Sequence, residues 1–159
     1  MTLTLYVLTG LPGSGKSWHA REVVQVAGAA HVEMDHEVVA RGLSLVDYEA
    51  RFALQSSVEA RIPELLSRGT SVVAEFGSWT RAERDRLRLL GAESGARTEL
   101  HFVDAPLAVC RERILARGGM GAEDLAGAVL DSSRELFERP SDDEATQYDA
   151  FAHIGVTAP

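Results

Sequence analysis

The chain has almost no lysine. Of its 16 basic residues, 15 are arginine and one is Lys16. With 24 acidic residues the net charge is −8. That balance disfavours a broad nucleic-acid footprint, because phosphate backbones are held by clustered Lys and Arg. It leaves room for a small basic cleft. Cysteine is nearly absent too. Cys110 stands alone, which excludes an internal disulfide framework and fits a reducing compartment. Long hydrophobic runs are missing, and every apolar run falls well short of the roughly 20 residues of a membrane span. The first residues enter a strand pattern without the basic start and apolar stretch of a secretory leader. Together these absences predict a cytoplasmic protein with no membrane partner. No repeat, low-complexity tract or linker interrupts the 159 residues, so one domain over 1–159 is expected.

What is present is alternation. Short apolar runs predict strands over Leu3–Thr9, Ala30–Met34, Ser71–Glu75, Glu99–Val103 and Phe151–Val156. Longer helical patterns lie between them, over about Gly15–Val26, Leu45–Arg68 (with Pro63 as a kink or break), Arg81–Glu93, Pro106–Arg117 and Glu123–Glu138. Thr80 and Glu83 have capping-box spacing at the start of the third helix. Strand and helix in alternation mark βαβ units and a parallel sheet. Continuous apolar strands such as "LYVL" suit burial on both faces.

One stretch carries specific chemistry. Gly10, Leu11, Pro12, Gly13, Ser14, Gly15, Lys16 and Ser17 follow the first strand and open the first helix, with Trp18 next. Gly, four residues, then Gly-Lys-Ser is the phosphate-binding P-loop. Glycines allow backbone N–H groups to converge on phosphate oxygens, and the helix directs its positive end at the same anion. Lys16 is placed for the β and γ phosphates and Ser17 for Mg²⁺. The implied cofactors are ATP and Mg²⁺. Lysine suits this place because a compact ammonium fits under a phosphate where a planar guanidinium does not.

Other nucleotide-using classes fit poorly. A guanine-reading Asn-Lys-x-Asp cannot exist in a chain whose single lysine is Lys16. A mechanical ATPase usually ends an apolar strand in Asp-Glu, whereas "SVVAEF" supplies Glu75 alone. "EMDHEVVARG" instead places Asp35 just after the second strand, beside the ligand crevice of a parallel sheet. A carboxylate there can take the proton of a hydroxyl attacking the γ-phosphate. The alternative is that Asp35 caps a short helix beginning near His36.

With the P-loop, Asp35, "AEFGSWTRAERDRLR" and "CRERILARGG" in view, nearly the whole chain resembles the small P-loop kinases of the nucleoside-monophosphate-kinase-like group. Its branch with polynucleotide 5′-kinases, chloramphenicol phosphotransferase and zeta toxins is the most similar. The resemblance implies an α/β P-loop NTPase fold with a five-stranded parallel sheet of order 2-3-1-4-5, helices on both faces, and a lid over about 113–125. It also implies that Arg113 packs on adenine and Arg117 contacts the transferring phosphate. The charges suit those roles, since a planar cation stacks well and a second offsets developing charge. The alternative for both is a solvated helix face. Gly118, Gly119 and Gly121 suit a hinge.

The acceptor pocket is expected from segment 36–62, with His36 and Arg41 beside Asp35. Glu75 is a candidate to hold Mg²⁺ through water, although related kinases often carry Asp there. Trp79 is either a wall of the acceptor pocket or a cover on the core edge. Arg81 and Arg84 are candidates for an anionic acceptor, whereas Arg86 and Arg88 read as a solvated helix face. Of the five histidines only His36 is expected near the chemistry, and their scattered spacing suggests no metal site. Segment 137–145 is placed by topology alongside the adenine. The reading is an ATP-dependent phosphotransferase acting on a hydroxyl of a small molecule: a sugar, nucleoside or antibiotic. The alternatives are a polynucleotide 5′-hydroxyl kinase and a non-catalytic nucleotide-dependent regulatory protein. Neither the acceptor's identity nor the oligomeric state is legible in the sequence.

Overall fold

The computed structural model describes residues 2–45 and 47–156. The predicted domain also takes in residues 1 and 157–159, and the helix predicted from Leu45 takes in Val46. These lie outside the described residues.

Five strands form one sheet: β1 Thr4–Thr9, β2 Ala30–Glu33, β3 Val72–Glu75, β4 Arg97–Asp104 and β5 Ala150–Gly155. Their order is β2-β3-β1-β4-β5 and every neighbouring pair is parallel, as expected. Nine helices accompany the sheet among the described residues: α1 Lys16–Ala27, α2 Met34–Ala40, α3 Tyr48–Glu59, α4 Arg61–Ser67, α5 Arg81–Glu93, α6 Leu107–Arg117, α7 Ala122–Asp124, α8 Leu130–Leu136 and α9 Asp142–Ala145. None is long and apolar enough to cross a membrane.

Alternation along the central strands sorts side chains between two layers. Leu5 and Val7 of β1, Val32 of β2, and Val72 and Ala74 of β3 pack with Met34, Val38, Val58, Ile62, Leu66 and Leu87 from helices α2 to α5. Leu8 and Val73 turn to the other layer and meet Ala20 and Ala29, with Tyr6, Val23 and Val24 beside them. Burying each such aliphatic side chain contributes about 1.5–3 kcal/mol. Helix α5 lies so close to the sheet that a Cβ on Gly91 would sit 2.7 Å from Leu5 Cδ2 and 3.0 Å from Thr98 Cγ2.

Some boundaries differ from expectation for local reasons. Met34 belongs to α2 rather than β2, because the chain turns into helix directly after Glu33. The predicted 45–68 helix divides at Ala60, and Pro63 falls in the first turn of α4, where its missing N–H is harmless. The helix expected over Glu123–Glu138 is broken. A π-helical stretch, Leu125–Val129, contains Gly127 with non-helical dihedrals (φ −93°, ψ −111°), and α8 resumes after it. The capping pair before α5 forms in a shifted version: Thr80 Oγ1 accepts from Glu83 N at 3.2 Å, while the Glu83 carboxylate accepts from the N–H of Trp79, one residue before the cap, at 2.9 Å.

Candidate nucleotide and phosphate-transfer site

The parallel strands leave their C-terminal ends along one edge. Leu8 of β1 pairs with Glu75 of β3, and Glu75 pairs in turn with Glu33 of β2. The loop after Thr9, the start of α2 and the segment after β3 are therefore neighbours by construction. Thr9 Oγ1 donates to the carbonyl of Ser78 at 2.7 Å, tying two of these segments together.

Residues 10–15 turn tightly before α1. Gly13 has φ +77°, and a Cβ there would lie 2.5 Å from the carbonyl oxygen of Cys110, so only glycine fits between the loop and α6. The loop closes on itself where Ser14 N donates to Leu11 O at 3.1 Å. The Ser14 hydroxyl is buried without a partner. Lys16 Nζ donates to the carbonyls of Gly10 at 2.9 Å and Leu11 at 2.8 Å. Its ammonium has three donors, so one direction remains for an incoming anion. Burial lowers the Lys16 pKa, and the charges of Glu75 and Asp35 work against that shift. Bound phosphates would act in the same sense as those carboxylates.

Ser17, at the start of α1, donates through Oγ to Glu75 Oε1 at 2.6 Å. The pair presents a hydroxyl and a buried carboxylate, hard oxygen donors of the kind that suit Mg²⁺ alongside water and phosphate. Trp18 is largely exposed.

Asp35 lies within the first turn of α2, one residue past its start. It is not the cap: Glu33 holds that position and makes no side-chain capping bond. This corrects the alternative reading of Asp35 as an N-cap. Its exposed carboxylate is instead ion-paired with Arg51 from α3. Arg51 Nη2 also donates to the carbonyl of Phe76 at 3.1 Å, joining α3, α2 and the end of β3. Sequence reading missed Arg51, since nothing in the pattern of α3 distinguishes it from a solvated arginine. His36 and Arg41 are exposed on and just after α2.

Beyond β3 the candidates separate. Ser78 takes a left-handed backbone (φ 52°), unusual for a non-glycine residue. Trp79 is half-buried over Gly77, with its indole N–H unpartnered. Arg81 pairs with Asp143 Oδ2 at 3.0 Å. Arg84 is fully buried, which corrects its reading as an acceptor-binding cation. It meets Glu144 at 2.5 and 2.9 Å and donates to the carbonyls of Ser78, Trp79 and Glu138. Every donor is thereby committed to holding the 78–79 turn and the 138–144 segment.

Arg113 Nη1 donates to the carbonyl of Ser14 at 2.9 Å, which brings this guanidinium to the back of the phosphate loop. Arg117 is exposed in the last turn of α6. Next to Leu11 opens a cavity of about 370 Å³ between the end of β4, the start of α6, and Arg134, Phe137 and Arg139. Arg139 lies over the Phe102 ring at 5.0 Å and binds Asp104 at 2.5 Å. Burial opposes ionisation of Asp104, but bonds from Arg139 and His153 hold its pKa below the usual value.

The histidine expectation also needs correction. His31 Nε2 lies 2.8 Å from Glu75 Oε2, and His31, Glu33 and Glu75 each place one ligand atom within 4.8 Å of the others. The signal in the sequence was two polar residues of period two, His31 and Glu33, in an otherwise apolar strand.

A parallel sheet of order 2-3-1-4-5, with a glycine-rich loop leading from its central strand into a helix, defines a P-loop nucleotide-binding domain. Within that class, the family model for the AAA domain known as AAA_33 matches residues 5–140, and the chain belongs to this family. No curated protein matches the sequence. Among solved structures, a gluconokinase from Sinorhizobium meliloti 1021 is 22% identical with a TM-score of 0.66, over 98% of this chain and 84% of that one. A sugar kinase from Janibacter sp. HTCC2649 is 22% identical with a TM-score of 0.68, over 100% and 88%. The Mycobacterium tuberculosis APS kinase CysC, in complex with AMPPNP and APS, is 21% identical with a TM-score of 0.63, over 96% and 88%. At these identities the likeness is one of fold.

Proposed function

We propose that the chain is an ATP-dependent phosphotransferase that moves the γ-phosphate to a hydroxyl of a small molecule, with Asp35 as the base. One observation carries the reading. Asp35 is an exposed carboxylate at the same sheet edge as the P-loop, close enough for its charge to act on Lys16. A protein that only binds nucleotide has no need of a carboxylate placed there.

In this reading residues 10–15 and the start of α1 cradle the phosphates, and the adenine enters the cavity beside Leu11, Phe102 and Arg139. Ser17 and, through water, Glu75 would hold Mg²⁺, which when bound neutralises phosphate charge. The acceptor oxygen attacks the γ-phosphorus as the bond to the β,γ-bridging oxygen breaks. Its proton passes to the Asp35 carboxylate, and ADP departs. Lys16 and Arg117 offset charge developing on the phosphoryl oxygens. Arg51 orients Asp35 from the side of α3. Residues 113–125 form the lid, with Arg113 at its base. His36, Arg41, Trp79 and Arg81 surround the acceptor, and Trp18 lies on the nucleotide side with the phosphate loop. The net charge of −8 favours a small acceptor over a polynucleotide.

The test is transfer from labelled ATP by purified protein to a panel of sugars, nucleosides, antibiotics and 5′-hydroxyl oligonucleotides. Once an acceptor is found, Asp35→Asn should lower kcat by about 10²- to 10⁴-fold with ATP affinity retained. A variant transferring at the wild-type rate would remove Asp35 from the mechanism. Label moving only to oligonucleotides would replace the acceptor class.

A further inference from the structure

We propose that His31, Glu33 and Glu75 form a second divalent-cation site, selective for transition metals such as Mn²⁺ or Zn²⁺ over Mg²⁺.

The site follows from sheet geometry. His31 and Glu33 are two apart on β2, so both side chains leave the same face. Glu75 is in register with Glu33 on the neighbouring strand, which brings its carboxylate to that face too. His31 Nε2 lies 2.8 Å from Glu75 Oε2 and 4.0 Å from Glu33 Oε2. Two ligands each about 2.1 Å from one ion stand roughly 3.0–3.4 Å apart at right or tetrahedral angles. The observed separations bracket that range, so small side-chain rotations suffice to close the shell.

Glu75 has a divided role. Its Oε1 accepts the Ser17 hydroxyl, on the nucleotide side, while Oε2 turns to the imidazole. One carboxylate can therefore face two cations at once. The cluster is buried on one side and reachable on the other, with side-chain exposures of 7% for Glu75, 22% for His31 and 29% for Glu33. Two carboxylates crowded in a partly desolvated corner repel each other, and a cation between them relieves that repulsion. An imidazole nitrogen with two carboxylate oxygens is a donor set suited to Mn²⁺, Co²⁺ or Zn²⁺, whereas Mg²⁺ favours oxygen alone.

The experiment uses the full chain without nucleotide, titrated with MnCl₂ in excess MgCl₂ and followed by electron paramagnetic resonance. The expected result is one Mn²⁺ per chain, with nitrogen coupling from one imidazole in the pulsed spectrum. His31→Ala and Glu33→Gln should each weaken Mn²⁺ binding at least tenfold. Absence of Mn²⁺ binding in the presence of excess Mg²⁺ overturns the proposal, as does a bound ion without nitrogen coupling. So does His31→Ala binding Mn²⁺ as wild type does. The nitrogen signal is read on the wild-type protein, so the test survives a variant that fails to fold. Because no nucleotide is present, its outcome is separate from that of the transferase reading.

Discussion

Replacing Arg84 by Met should unfold the protein at a much lower temperature. The guanidinium is 0% exposed and its partner Glu144 is 1% exposed. It fills both oxygens of that carboxylate and donates to three backbone carbonyls. Removing it leaves a buried carboxylate without a counter-charge, a loss of about 3–5 kcal/mol. At roughly 2–4 °C per kcal/mol for a chain of this size, melting should fall by on the order of 10 °C. The double variant Arg84→Met with Glu144→Met removes both charges. It should be more stable than the single variant, although the orphaned carbonyls keep it below wild type. Thermal melts and urea titrations of Arg84→Met, Glu144→Met, the double variant and wild type give the cycle. An anion-binding role would give the opposite pattern. Arg84→Met would then melt within about 1 kcal/mol of wild type and raise the KM for an acidic acceptor, and that pair of results would refute the structural assignment.

Lys16→Ala should keep the fold and abolish tight ATP binding, measured by calorimetry beside a melt; wild-type affinity would remove the P-loop assignment. Gly91→Ala should destabilise despite a helix-propensity gain of about 1 kcal/mol, because its methyl would stand 2.7 Å from the buried Leu5 side chain. Overpacking of this kind costs about 1–3 kcal/mol, so chemical denaturation giving a stabilised variant would contradict the packing. Burial, followed by the neighbouring His101, pushes the His19 pKa below its ordinary 6.5. The unfolded chain thus binds the proton first as pH falls, so stability is lost below about pH 6.5. His19→Gln should flatten that part of the profile of melting temperature against pH, and an unchanged profile would remove His19 as its source.

The phosphate loop was legible because its information is local. Glycine spacing, Lys16 and Ser17 lie within eight consecutive residues, between a strand pattern and a helix pattern. Strand and helix alternation is equally local, and with the kinase resemblance it was enough for the sheet order. Helix interruptions were less legible, since Gly127 breaks a run whose apolar period continues through it. The contacts that shape the site belong to another category. Arg51 meets Asp35 across 16 positions, His31 meets Glu75 across 44, Ser17 meets Glu75 across 58, and Arg84 meets Glu144 across 60. Each was a charged or polar residue with no local partner to suggest its role, so Arg84 looked like an anion ligand and His31 like a bystander. Residue order determined which segments are strands, which loop receives phosphate, and which classes of guanine-reading protein are excluded. Only tertiary packing decided which arginine is buried and which histidine faces a carboxylate, because strand register and helix docking choose partners across distances that no local pattern encodes.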